Sequence, residues 1–202
     1  MAEDLSPHDD RAAPGAAATT AELPGRLILV VGPSGAGKDT LIEAARLLLA
    51  ADPAYVFPRR IVTRPASVAE DNVEAEEAPF LAARERGAFA LSWCAHGHWY
   101  GVPATIDADL ALGRRVVINV SRAVIGEARR RWPDVSVVEV TAPEEVLARR
   151  IALRGRPSDG NGSQRLARRF EPGDRPVADR TIDNGSDLDV AISSFLTALT
   201  AD

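Results

Sequence analysis

A glycine-rich segment that follows a short apolar run constrains the fold more than any other feature of this sequence. The apolar run at 27–31 is typical of a buried parallel strand, and helical spacing of apolar residues begins near Thr40. Glycines in such a segment let backbone N–H groups turn toward a polyphosphate, and the helix N-terminus adds its dipole. The order of strand, loop and helix favours a phosphate-binding loop over a chance glycine-rich turn. The expected nucleotide-binding residues are Gly32, Pro33, Ser34, Gly35, Ala36, Gly37, Lys38, Asp39 and Thr40.

Lys38 is the charged residue of this loop and the single lysine in a chain that has 23 arginines. We expect its ammonium to meet the β- and γ-phosphates of ATP. The next position usually carries Ser or Thr to hold Mg²⁺, but here it is Asp39, with Thr40 following. Because Mg²⁺ accepts carboxylates and keeps several waters, Asp39 could bind the ion directly or through water. Alternatively, Thr40 takes part through a shifted turn. The expected cofactors are ATP and Mg²⁺.

Strand and helix patterns alternate along the rest of the chain. We predict strands at 26–31, 55–63 (interrupted by Pro58), 88–93, 115–120, 135–140 and 181–183. The predicted helices cover 40–51, 79–86, 103–112, 122–132, 143–153 and 188–199. This alternation predicts an α/β fold of the P-loop NTPase class, with a parallel sheet flanked by helices. We expect residues 26–202 to form one P-loop kinase domain with small substrate-binding and lid insertions. Residues 1–25 lack periodicity, which predicts a disordered leader.

Charge and composition exclude several classes of function. The 24 basic and 29 acidic residues give a net charge of −5. Residues 1–25 hold five acidic residues and one arginine, or −4, so residues 26–202 carry only −1. A nearly neutral body argues against a nucleic-acid partner, and no apolar run has the length of a membrane span. One cysteine, Cys94, cannot form an internal disulfide. We therefore expect a cytoplasmic protein that binds a small molecule and neither nucleic acid nor membrane.

Seven arginines lie around a polar, glycine-rich stretch at 155–163. Two of them, Arg165 and Arg169, are four residues apart, which places side chains on one face of a helix. Guanidinium groups that close over ATP would neutralise the charge of a transferring phosphoryl group, so we expect a lid at about 154–170. The alternative for such a charge run is a solvated basic helix pair. The arginines are Arg149, Arg150, Arg154, Arg156, Arg165, Arg168 and Arg169.

Aromatic residues and glycines are dense between residues 91 and 102. This composition predicts the wall of a site rather than a plain turn. His96 and His98 have no further ligands nearby in the sequence and make a weak zinc site, so we interpret them as loop residues. Tyr100 can donate its hydroxyl to a phosphate, although packing alone would also explain it.

Several short motifs together resemble the guanylate-kinase superfamily, from about residue 26 to the C-terminus. They are Gly32–Thr40, Thr63-Arg64, Trp-x-x-x-Gly-x-x-Tyr-Gly at 93–101, Arg154-Gly155-Arg156 and Asp183-Asn184. Within the superfamily the chain is most similar to the ribose 1,5-bisphosphate phosphokinase family. The stretches that carry this finer resemblance are Gly37–Thr40, 90–93 with 100–102, and 119–123.

This resemblance implies an enzyme that phosphorylates ribose 1,5-bisphosphate with ATP, giving 5-phospho-α-D-ribose 1-diphosphate in phosphonate breakdown. The acceptor phosphate is ionised at neutral pH, so no general base is needed. The implied catalytic residues are Lys38, Arg154, Arg156 and Arg165. The implied substrate-binding residues are Arg64, Trp93, Tyr100 and Arg122. The resemblance also implies that Asn184 helps to seat adenine.

A guanylate kinase, or another small-molecule kinase of the same fold, is the main alternative. A guanylate kinase would be expected to carry Glu before the Trp of the motif and hydroxyl residues after its Tyr-Gly. This chain has Ser92, Val102 and Ala104 at those places, and Asn119 and Ser121 where the relatives place an Asp that binds guanine. Each loss leaves a purine edge unpaired, which is costly. A non-catalytic ATP-binding module is less favoured, because both the loop lysine and the lid arginines are present. The sequence is compatible with a monomer or a homodimer.

Overall fold

A parallel sheet of five strands lies at the centre of the protein. In the computed structural model, which describes residues 25–64, 71–154 and 178–201, the spatial order of these strands is β2-β7-β1-β8-β9. Every pairing in the sheet is parallel, with β1 between β7 and β8. This arrangement confirms the α/β fold that the alternating pattern predicts. The strands are β1 (Leu27–Val31), β2 (Tyr55–Val56), β7 (Arg115–Asn119), β8 (Val135–Thr141) and β9 (Arg180–Asp183).

The two faces of this sheet bury different sets of side chains. Ile28 and Val30 join one apolar cluster, which includes Leu41 and Phe195 from two helices. Leu27, Leu29 and Val31 join a second cluster on the opposite face, because successive strand residues alternate. The helices of the described residues are α1 (Lys38–Leu48), α2 (Glu77–Glu85), α3 (Ile106–Ala111), α4 (Ile125–Arg131), α5 (Glu144–Arg154) and α6 (Leu188–Thr200).

A smaller mixed sheet packs on the second cluster. Its order is β4-β3-β6-β5, with β3 and β4 parallel and the other pairs antiparallel. Leu91, Trp93 and Val102 of this sheet are buried against the apolar residues of the central sheet. Arg60 of this sheet donates to the backbone oxygen of Asn119, so the smaller sheet reaches the carboxyl end of β7. The strands are β3 (Arg60–Val62), β4 (Asn72–Glu74), β5 (Phe89–Ala95) and β6 (His98–Pro103).

The strand predicted at 55–63 is wrong in one respect, since the segment forms two strands in two different sheets. Tyr55–Val56 pairs with β7 of the central sheet, whereas Arg60–Val62 pairs with β6 and β4 of the smaller sheet. Pro58 lies between them and has no N–H to donate to either ladder. The chain therefore leaves one sheet at the proline and enters the other. The stretch 71–77 is rich in acidic residues, a composition more typical of solvated surface than of a ligand contact, and it includes the edge strand β4 (Asn72–Glu74).

The segment after residue 95 also differs from its prediction, because His98, interpreted from the sequence as a loop residue, begins the second strand of a hairpin. His96 and Gly97 have φ values of 54° and 76°, as the two central residues of a tight hairpin turn require. The first central residue of such a turn is usually Asn, Asp or Gly, so a histidine there gives no typical sequence signal. Pro103 consequently ends β6, and the helix predicted at 103–112 begins only at Ile106.

The predicted leader lies outside the described residues except for its last residue. Gly25 is buried, and its N–H donates to the backbone oxygen of Leu110 at 3.0 Å. Among residues 25–64, 71–154 and 178–201, no helix combines the length and apolarity that crossing a bilayer requires.

We expect the Phe195→Ala variant to lose about 3–5 kcal/mol of unfolding free energy, because the ring is fully buried beneath the central sheet. Leu48→Ala is the matched control, since this α1 side chain is 63% exposed. The control should stay within about 0.5 kcal/mol of wild type. Urea unfolding followed by circular dichroism measures both. Equal losses in the two variants would contradict this description of the core.

Candidate active site

The glycine-rich loop joins the carboxyl end of β1 to the first turn of α1. Gly32 has a φ of +145°, and a Cβ at this position would lie 2.1 Å from the backbone oxygen of Val140. Gly37 has a φ of +87° and directly precedes Lys38, the first residue of α1. A side chain at either glycine would therefore meet both backbone strain and a close neighbour. The loop lies at the edge of the sheet where ligands of open α/β folds bind.

Lys38 folds back across the loop that precedes it. Its Nζ donates to the backbone oxygens of Gly32 and Pro33, each at 2.9 Å. The ammonium is therefore held at the loop, where it would meet a phosphate bound by the backbone N–H groups.

Two side chains from later elements support the same loop. Asn184 is 2% exposed, and its Nδ2 donates to the backbone oxygen of Ala36 at 2.8 Å. Arg150 of α5 donates from Nη1 to the backbone oxygen of Gly35 at 3.4 Å. The Asn184 amide thus lies beneath the loop, and its predicted contact with adenine stays a prediction. Arg150, named in the sequence only as one of seven clustered arginines, lies against the loop itself.

Asp39 takes part in a polar network that connects α1 with both sheets. Asn119 Nδ2 donates to Asp39 Oδ1 at 2.8 Å, and Arg60 Nη2 lies 3.7 Å from the same oxygen. Arg60 also donates to the backbone oxygen of Asn119 at 3.2 Å and to Asn72 Oδ1 at 3.1 Å. Thr40, the other predicted metal ligand, is exposed. The network therefore brings the end of β7 and strands β3 and β4 to the first turn of α1.

This network lines a cavity of about 640 Å³ beside the loop. The walls come from α1, the 57–59 connection, β3, the start of β4 and the end of β7. Both signs of charge are present, since Arg59 binds Asp71 at 2.6 Å and Arg46 binds Glu43 at 2.7 Å. The hydrogen bond from Arg46 lowers the pKa of the Glu43 carboxyl below its ordinary value. The volume suits a small charged ligand.

The smaller sheet presents the aromatic residues that the sequence singles out. Tyr100 stacks on Trp93 with 5.4 Å between ring centroids and 4° between ring planes. Trp93 is only 8% exposed, so its visible role is to hold Tyr100, and contact with a substrate stays a prediction. Thr63 is tied to β6, because its Oγ1 accepts from the backbone N of Trp99 at 2.8 Å. The half-buried Arg64 follows directly.

Arg122 begins the 3₁₀ turn Arg122–Val124 after β7 and forms an ion pair with Glu139 of β8. The two side chains are 22% and 25% exposed. Arg122 belongs to one of the short sequence motifs, whereas Glu139 does not, because an acidic residue in a predicted strand carries no motif. The contact of Arg122 with a substrate stays a prediction.

The predicted lid lies almost entirely outside the described residues. Arg154 is the last residue of α5, and only its backbone is described. Arg156 and Arg165 belong to 155–177, which the structure does not describe. Their assignment to the transferring phosphoryl group stays a prediction.

Arg60 is the site residue that the sequence motifs do not identify, since it lies inside a predicted strand. Asn72 belongs to the acidic stretch 71–77, which could contact the ribose, its 5-phosphate or Mg²⁺ but is more typical of solvated surface. An arginine among β-branched strand residues is the one available signal, since a charged side chain in a half-buried strand needs a polar partner.

None of the protein-family models compared with this chain matches it. The chain is 54% identical over 179 residues to a Methylobacterium radiotolerans protein named ribose 1,5-bisphosphate phosphokinase PhnN, covering 89% of this chain and 99% of that one. It is 59% identical over 145 residues to a Rhodopseudomonas palustris protein of the same name, covering 72% and 75% of the two chains. The fold is similar to the crystal structure of guanylate kinase from Anaplasma phagocytophilum, with a TM-score of 0.62. That match covers 87% of this chain and 84% of the other at 19% identity, so it concerns the fold alone.

The central parallel sheet, the glycine-rich loop and the similarity to a solved guanylate kinase identify a P-loop kinase fold. The extent and identity of the matches to the two relatives show that this chain belongs to the ribose 1,5-bisphosphate phosphokinase family and is a kinase.

Proposed function

We propose that this protein transfers the γ-phosphoryl group of ATP to the 1-phosphate of ribose 1,5-bisphosphate. An oxygen of the 1-phosphate forms a bond to the γ-phosphorus, while the bond from that phosphorus to the β,γ-bridging oxygen breaks. The products are 5-phospho-α-D-ribose 1-diphosphate and ADP. The pathway served is the breakdown of phosphonates.

The observation that carries the proposal is the position of the cavity directly beside the phosphate-binding loop. Asp39 and Thr40 belong to the first turn of α1, which follows the loop, and both also line the cavity. A nucleotide in the loop and an acceptor in the cavity would therefore share this turn. The names of the two relatives supply the acceptor. Because that acceptor is an ionised phosphate, the site has to align and neutralise charge rather than remove a proton.

In this proposal, one set of residues binds ATP and another set binds the acceptor. Lys38 binds the β- and γ-phosphates, and the arginines of the lid region neutralise the transferring group. Arg64 and Tyr100 hold the acceptor phosphate, with Trp93 fixing the Tyr100 ring and Arg122 near the ribose. Asn184 supports the loop and seats adenine. The proposed lid arginines are Arg154, Arg156 and Arg165.

The residues present also suit ATP and Mg²⁺. Gly35 and Gly37 have φ values of +83° and +87°, which turn the loop into a concave backbone cradle. No group of three or more His, Cys, Asp or Glu that could hold a metal occurs among the described residues. One carboxylate and one hydroxyl, from Asp39 and Thr40, match the way Mg²⁺ binds when phosphate oxygens and waters complete its shell. The ion would neutralise phosphate charge when bound.

Incubation with ATP, Mg²⁺ and ribose 1,5-bisphosphate should give a new diphosphate pair in the ³¹P NMR spectrum. A parallel sample with GMP should give no GDP, because Ser92 and Val102 do not offer the groups expected to pair with guanine. GDP in place of the sugar diphosphate would make the protein an unusual guanylate kinase. The absence of a new diphosphate signal in both samples would reject the proposed acceptor.

The Lys38→Ala variant should lose about 10²- to 10³-fold in kcat, because a charge aimed at the transferring phosphoryl group is removed. Arg129→Ala is the control, since this surface arginine pairs with Asp179 away from the loop. Its kcat should match wild type. Steady-state kinetics with saturating substrates measures both, and near-normal turnover in Lys38→Ala would reject the role of the lysine.

The Asp39→Asn variant should raise the Mg²⁺ concentration for half-maximal activity by about tenfold or more, because a neutral amide replaces an anionic ligand. A carboxylate has about four lone-pair sites, so the bond from Asn119 leaves Asp39 able to bind the ion. Asp109→Asn, at a partly buried ion pair with Arg114 away from the loop, is the control. A shift in Thr40→Val with none in Asp39→Asn would assign the metal to the hydroxyl instead.

A further inference from the structure

Two unusual residues of the sequence meet in the folded protein. Asp39 follows the loop lysine at the position that usually carries Ser or Thr, and Asn119 belongs to the strand end where guanylate kinases place an Asp. The two residues are 80 positions apart in the chain, yet Asn119 Nδ2 donates to Asp39 Oδ1 at 2.8 Å. Two departures from the usual pattern are therefore the two halves of one contact.

The central sheet explains why these residues meet. Asn119 is the last residue of β7, and it pairs with Val30 near the carboxyl end of the neighbouring strand β1. Asp39 is the second residue of α1, which begins directly after the loop that leaves β1. Because the carboxyl ends of parallel strands lie at one edge of a sheet, the first turn of α1 is brought to the end of β7. The contact is therefore a property of the fold.

Charge explains why residue 119 is an amide in this protein. Asn119 is 8% exposed, so its amide group needs hydrogen-bond partners within the protein. An Asp at this position would place a second negative charge within hydrogen-bonding distance of Asp39, and like charges at that distance repel each other. The amide donates a hydrogen bond instead. With Asp39 on α1, the end of β7 thus needs a neutral donor.

The contacts of the Asp39 carboxylate fix its orientation. Arg60 Nη2 lies 3.7 Å from Asp39 Oδ1, so this guanidinium and the Asn119 amide act on the same oxygen. The side chain of Asp39 is 32% exposed, which means that the network does not seal the carboxylate off. Fixing one oxygen fixes the direction of the other, and a carboxylate has about four lone-pair sites in all. An oriented anionic group therefore lies beside the phosphate-binding loop.

We propose that Asn119 is a positioning residue, which orients the Asp39 carboxylate as a ligand of Mg²⁺. In P-loop enzymes the usual pair is a neutral hydroxyl on the loop and an Asp from another segment. Here the two kinds of group are exchanged, with the carboxylate on α1 and the neutral group on β7. Both arrangements offer the ion one carboxylate and one neutral group. The inference rests on the proposed function and deepens it, because it concerns the ion that accompanies ATP.

The first test measures nucleotide binding without turnover. Titration calorimetry gives the dissociation constant of AMP-PNP, a non-hydrolysable ATP analogue, with Mg²⁺ and with EDTA in its place. In Asn119→Ala the constant with Mg²⁺ should rise about tenfold or more, whereas the constant with EDTA should stay within about twofold of wild type. The variant keeps the backbone oxygen that accepts from Arg60, so only the amide is removed. An equal rise under both conditions would overturn the proposal and make Asn119 a general support of the loop.

Val116→Ala is the control for a general loosening of β7. Val116 is fully buried in the same strand, and it pairs with Leu27 at the end of β1 that is remote from the loop. The variant should lower the urea concentration at the midpoint of unfolding, because core packing is lost, and it should leave both dissociation constants unchanged. A rise in the Mg²⁺ constant like that of Asn119→Ala would attribute the effect to lost stability and overturn the proposal.

The double variant Asp39→Asn/Asn119→Asp tests the exchange of groups directly. Asp39→Asn alone leaves two amides and no anion, so its AMP-PNP constant with Mg²⁺ should rise about tenfold or more. The double variant again has one carboxylate and one amide in contact, so its constant should return to within about threefold of wild type. A double variant that binds no more tightly than Asp39→Asn would overturn the proposal. Because it keeps both side-chain volumes, the double variant carries the test if Asn119→Ala fails to fold, as judged by circular dichroism.

The failure of this inference is distinguishable from the failure of the proposed function. If wild type forms no diphosphate from ribose 1,5-bisphosphate but the AMP-PNP constants change as expected, the acceptor is rejected and the role of Asn119 stands. If the diphosphate forms but Asn119→Ala binds AMP-PNP with Mg²⁺ as tightly as wild type does, only the role of Asn119 is rejected. Equal wild-type constants with Mg²⁺ and with EDTA would also overturn the inference, since the ion would then contribute nothing to nucleotide binding.

Discussion

The contact between Gly32 and the backbone of β8 is the constraint on which the rest of the site depends. With no room for even a Cβ beside the Val140 oxygen, the loop follows the surface of two central strands. Asn184, at the end of β9, holds the same loop through the Ala36 oxygen. The N–H groups that would meet a phosphate are thus positioned by three neighbouring strands of one parallel sheet. Their geometry is as rigid as the sheet, which is the property that electrostatic stabilisation of a transferring phosphoryl group needs.

The central part of the fold could be predicted because its signals are local. The apolar run before Gly32, the glycines and the helical spacing after Lys38 lie within one stretch of chain, and the structure keeps that order. The sheet that a strand joins is not determined by the residues near it in the sequence. Nothing near Tyr55 or Arg60 shows that these residues pair with strands of two different sheets. The hairpin at 96–97 escaped prediction for another reason, since a histidine occupies a backbone conformation that usually selects glycine or asparagine.

The residues of the site also differ in whether their sequence signals are local. Lys38, Asp39 and Tyr100 could be singled out because each belongs to a short motif. The network of Arg60, Asn119 and Asp39 could not, because it joins three elements that are distant in the chain. Asn119 shows the difference most clearly. In the sequence it appears as the loss of a guanine-binding carboxylate, whereas in the structure its amide orients the carboxylate of Asp39. A substitution that removes one contact can thus supply another.

The short connection through Pro58 has a consequence for how the enzyme can respond to its substrates. This connection leaves the central sheet at Val56 and enters the smaller sheet at Arg60, and its three residues also line the cavity. Proline lacks an N–H, so neither ladder can extend across the boundary and fuse the sheets. The wall of the cavity at this connection is therefore set by the backbone torsions of three residues and by side-chain bridges such as Arg60 to Asn119, while the apolar contacts of Leu91, Trp93 and Val102 hold the smaller sheet on the central one. A proline at this corner thus gives the cavity a wall whose shape is independent of the hydrogen-bonded ladders on either side.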